Sequence, residues 1–353
     1  MKGLILCAGK GTRMRPFTYS GAKHLLPAAN KPVVHYIIEA LMDAGIRDIA
    51  IIVGDGEEEF KDKVGDGGKW GVSITYIRQD RPLGLADAIA RARDYVCNCP
   101  FIAVLGDNLI MQPFKNIIDY FLKTGADCTI LLSKVDRPER YGIASVRDGR
   151  VAGVIEKPKD SIGNLGVVGL YVFTPKIFDA IGQIEPSGRG ELEISDAITD
   201  LIRRGHLVNY VYSSGWWKDI GRPEDLLEAN RKVLEHLDAS IKGQCDSKSN
   251  ISGQIYLGSG SRIINCTVSG PVVIGDDVMV SDTIIGPYTS IGDRSSITGC
   301  RIENSIILEK CLLQNIINKI DASIIGSGSV IREREISGSL AIWVDKDSRI
   351  EIS

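Results

Sequence analysis

Beyond about residue 238 the aliphatic side chains keep a six-residue beat that neither an α-helix nor an ordinary strand satisfies. Ile274-Gly275 is followed by Val280, and Ile285-Gly286, Ile291-Gly292 and Ile297 fall six apart. One inward aliphatic group per hexapeptide, with a small residue after it, is what a three-sided solenoid requires of each face. The spacing predicts a left-handed parallel β-helix over residues 238–353. The texture agrees: helical stripes vanish, the aromatics are Tyr256, Tyr288 and Trp343, and Gly, Ser and Asp separate single Ile and Val residues. The beat falters around Ser281–Ile284 and Cys311–Ile320, where breaks are expected.

Residues 1–237 read differently. Short apolar runs, Leu4–Cys7, Ile49–Val53, Ser73–Ile77 and Phe101–Leu105, alternate with segments of helical period. In "KPVVHYIIEALMDAG", Val33, Val34, Ile37, Ile38, Leu41 and Met42 share one stripe, and Gly45 closes the helix. Later runs (Thr129–Ser133, Val151–Glu156, Val167–Phe173, Val208–Tyr212) interleave with helices expected near Lys176–Ile181, Leu192–Arg203 and Pro223–His236. This is an α/β chain with helices on the faces of a sheet. With 353 residues, beyond the ~250–300 at which single cores stop growing, two domains are expected, 1–237 and 238–353.

Composition narrows the function classes. Hydrophobic residues make up 44% and charged residues 25%, and 42 Lys+Arg against 45 Asp+Glu leave a net charge of −3. Neither disorder nor a nucleic-acid-coating surface fits that balance. The eight Cys form no CxxC pair and the four His are scattered, which argues against zinc fingers and disulfide frameworks. The apolar run before Gly9 is too short for a signal peptide or a membrane span. A cytoplasmic protein with reduced thiols is expected.

The chemistry begins where the first strand ends. "LILCAGKGTRMRPFT" runs a buried strand into Gly9-Lys10-Gly11-Thr12-Arg13, and Lys23 follows in "AKHLLPAANKP". Glycines in the first βα turn let backbone amides approach an anion, while Arg13 and Lys23 supply charge for a polyphosphate. A dinucleotide fingerprint would need glycine where Met14 stands, and no GxxxxGK[ST] sequence occurs. Phe101–Leu105 ends in Gly106-Asp107, a carboxylate at the carboxyl end of a strand, where open α/β sheets bind ligands. Glu156-Lys157-Pro158 ends another apolar run at a loop rim. Arg189 lies in a Ser-Gly-Arg-Gly loop. Taken singly, Asp107 and Asp219 read first as caps or turn residues, Glu156-Lys157 as solvated surface, and Gln79 equally well as the polar end of a strand or as a site residue.

The motifs taken in order resemble those of the sugar nucleotidyltransferases, and within them the long-form glucose-1-phosphate thymidylyltransferases. They are the Gly9–Arg13 loop, Lys23, "QDRPLGLADA", "LGDN", "RYGIA", "EKP", "VVGLYVF", "RGELEISD" and "WWKDIG". The resemblance implies a Rossmann-like mixed-sheet nucleotidyltransferase domain followed by the β-helix. It also implies a nucleotide site at Leu6, Ala8, Gly9, Gly11, Thr12, Arg13, Gln79, Gly84 and Asp107. A sugar site is implied at Asn108, Tyr141, Gly142, Glu156, Lys157, Val167 and Arg189. Mg²⁺ would lie between Asp107 and Asp219, two hard oxygen donors. Arg13 and Lys23 would act on the triphosphate and Lys157 and Arg189 on the sugar phosphate. The Gln79 amide, which can donate and accept together, suits a pyrimidine edge.

The implied reaction is transfer of a nucleotidyl group from dTTP to glucose 1-phosphate, with dTDP-glucose and pyrophosphate as products. Cys7-Ala8-Gly9 and His24 depart from the usual thymidylyl spelling, so UTP or another hexose 1-phosphate, such as an amino sugar, is the alternative. An acyltransferase tail would need a general base, and no His lies beyond His236. The tail is therefore expected to serve structure or assembly. Its exposed sheet edges point to a homo-oligomer, with no nucleic-acid or membrane partner.

Overall fold

The computed structural model of the chain describes residues 1–19, 21–160, 162–333 and 342–352. Its contacts divide into two units, one of residues 1–10 and 33–219, the other of residues 11–32 and 220–353.

In the first unit the elements run β1 (Lys2–Cys7), α1 (Val33–Asp43), β2 (Asp48–Val53), β3 (Ser73–Arg78), α2 (Leu85–Ala90), β4 (Phe101–Leu105) and β5 (Asn108–Ile110). They continue as α3 (Lys115–Thr124), β6 (Cys128–Lys134), β7 (Gly142–Arg147), β8 (Arg150–Glu156), β9 (Leu165–Phe173), α4 (Ile194–Arg203), β10 (Val208–Tyr212) and β11 (Trp217–Asp219). The main sheet has the order β8-β7-β9-β4-β1-β2-β3, with β6 pairing β9 and β10. Strands β4, β1, β2 and β3 are parallel, whereas β9 runs antiparallel to β4, β6 and β7. The sheet is therefore mixed.

The three inner parallel strands β4, β1 and β2 are apolar along most of their length, as strands covered on both faces must be: Leu4, Ile5, Ile49 through Val53 and Phe101 through Val104 are fully buried, whereas the edge strand β3 is largely exposed. The stripe of α1 packs inward as its spacing predicts, with Val33, Val34, Ile37, Ile38 and Leu41 buried. The expected strands appear with ends shifted by a residue or two, and α4 begins at Ile194 rather than Leu192. Strands β5, β7 and β11 and helix α3 were not marked by the sequence pattern; β5 and β11 are three residues long, too short to show a period.

The second unit holds α5 (Pro223–Leu234) and three parallel sheets of short strands. Ile263, Val280, Ile297, Leu313 and Ile331 stand over one another at 1% exposure or less, a single aliphatic column. Ile274, Val280, Ile285, Ile291 and Ile297, the residues of the six-residue beat, are all fully buried. Equivalent positions lie 17 residues apart from Ile263 to Ile297 and 16 then 18 apart beyond it, so three faces of about six residues make one rung of a β-helix. Small hydroxyl residues fill the corners: Ser261 donates to the Gly275 carbonyl at 2.6 Å and accepts from Val278 N at 2.9 Å. Outer corners take left-handed backbone at Asn265, Asp277, Asp282 and Asn304, which Asn and Asp tolerate best among residues with a side chain; this is why those residues punctuate the sequence.

One expected break is absent. Met279–Ser281 and Ile284–Ile285 are regular strands joined through Asp282 in left-handed conformation, with Thr283 Oγ1 donating to the Ser281 carbonyl at 2.7 Å. The second break is present: after Leu312–Gln314 the third face keeps, among the described residues, only an isolated bridge between Ile302 and Ile320, and Ile317 is 63% exposed.

Candidate functional site

Strand β1 ends between β2 and β4, and the Gly106 amide donates to the Leu6 carbonyl at 2.9 Å. The buried Leu6, Ala8 and the exposed Gly9 thus leave the sheet beside the Gly106-Asp107 turn. Gly11 through Pro32 belong to the second unit. There Gly11 adopts φ 61°, and a Cβ on it would lie 3.2 Å from Lys23 Cβ, so the Lys23 stem passes directly over the glycine. Thr18 Oγ1 donates to the Gly11 carbonyl at 2.8 Å. Thr12 and Arg13 sit in an exposed 3-10 turn anchored by the buried Met14. The residue that excludes a dinucleotide fingerprint is the turn's apolar anchor.

Across the sheet, β11 runs antiparallel to β5 with Asp219 opposite Asn108. Asp219 is therefore one residue out of register with Asp107, and both carboxylates are half-buried. Asn108 is buried, its Nδ2 donates to the Val168 carbonyl, and its Oδ1 has no partner among the described residues. Two carboxylates on adjoining chain segments, more than a hundred residues apart in sequence, match the hard donors a divalent cation prefers. Among the described residues no third His, Cys, Asp or Glu joins them, so water and phosphate oxygens would complete such a sphere.

The sugar-side residues meet at the β7–β8 hairpin. Glu156 stands opposite Gly142, and a Cβ on Gly142 would lie 3.1 Å from Glu156 Oε2 and 3.8 Å from Val167 Cγ2. Lys157 N donates to the Tyr141 carbonyl at 2.9 Å, and the Tyr141 ring meets Trp217 edge-on at 5.5 Å. Lys157 has φ 44°, a left-handed backbone that a lysine adopts only when its surroundings hold it there. Its ammonium lies 3.4 Å from Glu156 Oε1, and Arg189 reaches the same oxygen at 3.5 Å. Burial pushes the Glu156 carboxyl above the usual glutamate range; Lys157 and Arg189 pull it down, and Glu193 pushes it up.

Two residues that sequence reasoning passed over organise this cluster. Glu193, 4% exposed, takes Arg189 Nη2 at 2.8 Å and Ser187 Oγ at 2.7 Å, so Arg189 is aimed by a buried carboxylate. Its place in "RGELEISD" was visible, but nothing in the spacing separated it from Glu191. Asp87 accepts from Gln79 Nε2 at 2.7 Å, and the same nitrogen donates to the Gly84 carbonyl at 3.2 Å. The expectation that the Gln79 amide both donates and accepts is thereby corrected: both amide protons are spent within the protein, leaving the side-chain oxygen. Gly84, at φ 108°, would put a Cβ 2.4 Å from the Leu192 carbonyl. That close approach lets Leu192 N donate to the Leu83 carbonyl at 2.7 Å and Ala86 N to the Leu192 carbonyl at 3.1 Å. Gln79 and Gly84 are thus tied to the segment that carries Arg189.

Within the first unit the structure joins Asp107, Asn108, Asp219, Tyr141, Gly142, Glu156, Lys157, Val167, Arg189, Gly84 and Gln79 through ladders and hydrogen bonds. Gly11, Thr12, Arg13 and Lys23 form a second group within the other unit. No helix among the described residues is long and apolar enough to cross a membrane.

Comparison with known proteins adds to this geometry. The sequence profile of the nucleotidyl transferases matches residues 2–236. The chain is 44% identical over 328 residues to glucose-1-phosphate thymidylyltransferase of Streptomyces antibioticus, covering 92% of each. It is 37% identical over 238 residues to the UTP–glucose-1-phosphate uridylyltransferase AglF of Haloferax volcanii, covering 67% of this chain and 97% of that one. A Bacillus anthracis crystal structure assigned as a glucose-1-phosphate thymidylyltransferase, with sucrose bound, superposes with a TM-score of 0.63 at 34% identity, over 68% of this chain and 97% of that one. The matched span takes in the glycine loop, the carboxylate pair and the Glu156–Arg189 cluster, and on these grounds the chain belongs to the nucleotidyl transferase family of enzymes.

Proposed function

We propose that this enzyme transfers a thymidylyl group from dTTP to glucose 1-phosphate. Nucleotidyl transfer to a sugar 1-phosphate is the activity its relatives share in name. The observation that carries the fuller reading is the single connected set of groups in the first unit, in which the Glu156–Lys157–Arg189 cluster gathers at the end of the β7–β8 hairpin and leads through the Lys157 N–Tyr141 carbonyl bond to the Tyr141–Trp217 ring contact. Cations beside a half-buried carboxylate suit a phosphorylated sugar: Lys157 and Arg189 offset the phosphate, and Glu156 accepts from ring hydroxyls.

In this reading an oxygen of the sugar phosphate attacks the α-phosphorus of dTTP in line. The bond from that phosphorus to the bridging oxygen breaks, and pyrophosphate leaves with the electron pair. A phosphate monoester is already ionised near neutral pH, so no protein base has to take a proton. Arg13, Lys23 and the Gly9–Gly11 amides hold the triphosphate, and catalysis rests on positioning and charge compensation. Asp107 and Asp219 would hold Mg²⁺, which when bound offsets charge on the α-phosphate. The Gln79 oxygen accepts from the N3–H of thymine.

Uracil carries the same N3–H, and the relative named for UTP keeps a uridylyl reading open as the alternative. Incubation of the protein with dTTP, glucose 1-phosphate and magnesium, followed by mass spectrometry, tests the reading. It requires dTDP-glucose in stoichiometric amount with pyrophosphate; hydrolysis of dTTP without a sugar nucleotide would refute it.

A further inference from the structure

The segment that carries Lys23 ends in a two-residue hairpin, Pro27–Ala28 against Lys31–Pro32, whose tip is Ala29-Asn30. Both tip residues have left-handed backbone, φ 49° and 62°. Such a turn favours Asn-Gly or Gly-Gly, and an alanine at its first position is strained. The strain is met from outside the hairpin. Ala29 N donates to Asn230 Oδ1 at 2.8 Å, and Asn30 Nδ2 donates to the Ile291 carbonyl at 2.6 Å. Asn230, on α5 and only 1% exposed, accepts from Ser290 Oγ at 2.6 Å and donates to the Tyr288 carbonyl at 3.1 Å. Tyr288, Ser290 and Ile291 lie in one rung of the β-helix, on the strand Thr289–Ile291 and the corner before it. All these residues belong to one compact unit, 11–32 with 220–353.

A continuous path therefore runs from the β-helix rung through Asn230 to the hairpin tip, and from the hairpin back to Lys23, whose stem lies over Gly11. Every polar side-chain atom of Asn230 is used in it. A helix residue that served only to pack α5 would be apolar at this depth, since a buried amide is costly unless all its bonds are made. We propose that the β-helix is a positioning element for the triphosphate-binding segment, with Asn230 as the positioning residue that fixes the hairpin and through it Lys23. The tail is then part of how the enzyme binds its nucleotide. This rests on the reading above that Lys23 contacts the triphosphate.

The test is steady-state kinetics on the full chain, varying dTTP and glucose 1-phosphate separately, with thermal melting run in parallel. Asn230→Leu is expected to raise KM for dTTP about tenfold, the scale of a lost binding hydrogen bond, with KM for glucose 1-phosphate unchanged. Asn30→Ala and Ser290→Ala should move dTTP KM the same way by less, and they keep the test decisive if Asn230→Leu fails to fold. Ser295→Ala, a buried β-helix hydroxyl bonded to the Leu308 carbonyl and Cys311 N, should lower the melting temperature and leave both KM values alone. Unchanged dTTP KM in the folded Asn230, Asn30 and Ser290 variants, or equal rises in both KM values, overturns the proposal. Lys23→Ala separates the two layers. Raised dTTP KM there with none in the Asn230 series sinks the positioning role alone, whereas unchanged dTTP KM in Lys23→Ala sinks both.

Discussion

Gln79 spends both protons of its side-chain amide inside the protein, on Asp87 Oδ2 at 2.7 Å and on the Gly84 carbonyl at 3.2 Å. Asp87 is itself pinned by Arg91 at 3.1 Å. A carboxylate only accepts when ionised, so the Gln79 nitrogen must face it and the oxygen must face away. That oxygen suits a base with an N–H at position 3, as in thymine and uracil, and repels cytosine, whose N3 is an acceptor. Asp87→Asn weakens the constraint, because an amide can partner either orientation of Gln79 and only the Gly84 carbonyl, at 3.2 Å, still requires the nitrogen. The preference for dTTP over dCTP, measured as a ratio of kcat/KM, should fall about tenfold or more. An unchanged ratio would show that the orientation of Gln79 does not set base choice.

Asp219 stands opposite Asn108, one residue from Asp107. Asp107→Asn and Asp219→Asn keep shape and one acceptor oxygen but remove the charge a divalent cation needs. Each should lower kcat by about two orders of magnitude or more, the scale seen when charge stabilisation is lost at a reacting centre, with the melting temperature nearly unchanged. Wild-type rates in either variant with magnesium present would remove that residue from the metal site.

Burial raises the Glu156 carboxyl above the usual glutamate range despite Lys157 and Arg189. For an acid the sign is definite: the protonated form is favoured in the fold, so this group stabilises at pH below its unfolded value. That contribution is lost as pH rises through the raised folded value. The ionised form, needed to hold Lys157 and Arg189 and to accept from sugar hydroxyls, therefore disappears on acidification earlier than an ordinary glutamate would. KM for glucose 1-phosphate should rise on the acid side, and Glu156→Gln should raise it at all pH and abolish that limb. A limb that persists in the variant would assign it to another group.

Gly84 holds φ 108° with its Cβ position 2.4 Å from the Leu192 carbonyl. Gly84→Ala should cost about 2 kcal/mol or more, since both the backbone angle and the close approach oppose a side chain. Because Gln79 and Arg189 flank the two sides of that contact, both substrate KM values should rise together. Thermal melting and kinetics check this, and a neutral variant would contradict the contact.

Much of this was legible in the sequence because it is periodic or local. The inward run Ile274, Val280, Ile285, Ile291 and Ile297, which passes from face to face around the β-helix, announces itself by spacing, and the α1 stripe by its 3.6-residue period. The Gly9–Arg13 loop could be read because glycine next to cations at a strand end has few structural uses. What could not be read depends on partners distant in the chain. Asp219 finds Asn108 through three-residue strands that carry no period. Glu193 differs from Glu191 only by burial. Asp87, in an alanine-rich helix, gains meaning from Gln79 across a turn, and Asn230 from a rung sixty residues away.

The most direct measure of the central claim is pyrophosphate release with magnesium across dTTP, UTP, dCTP, ATP and GTP, each against glucose 1-phosphate and amino-sugar 1-phosphates. The highest kcat/KM is predicted for dTTP with glucose 1-phosphate, with UTP second and dCTP near background. A clear preference for UTP or for an amino-sugar phosphate would contradict the assigned substrate, and no release with any pair would contradict the nucleotidyl transfer itself.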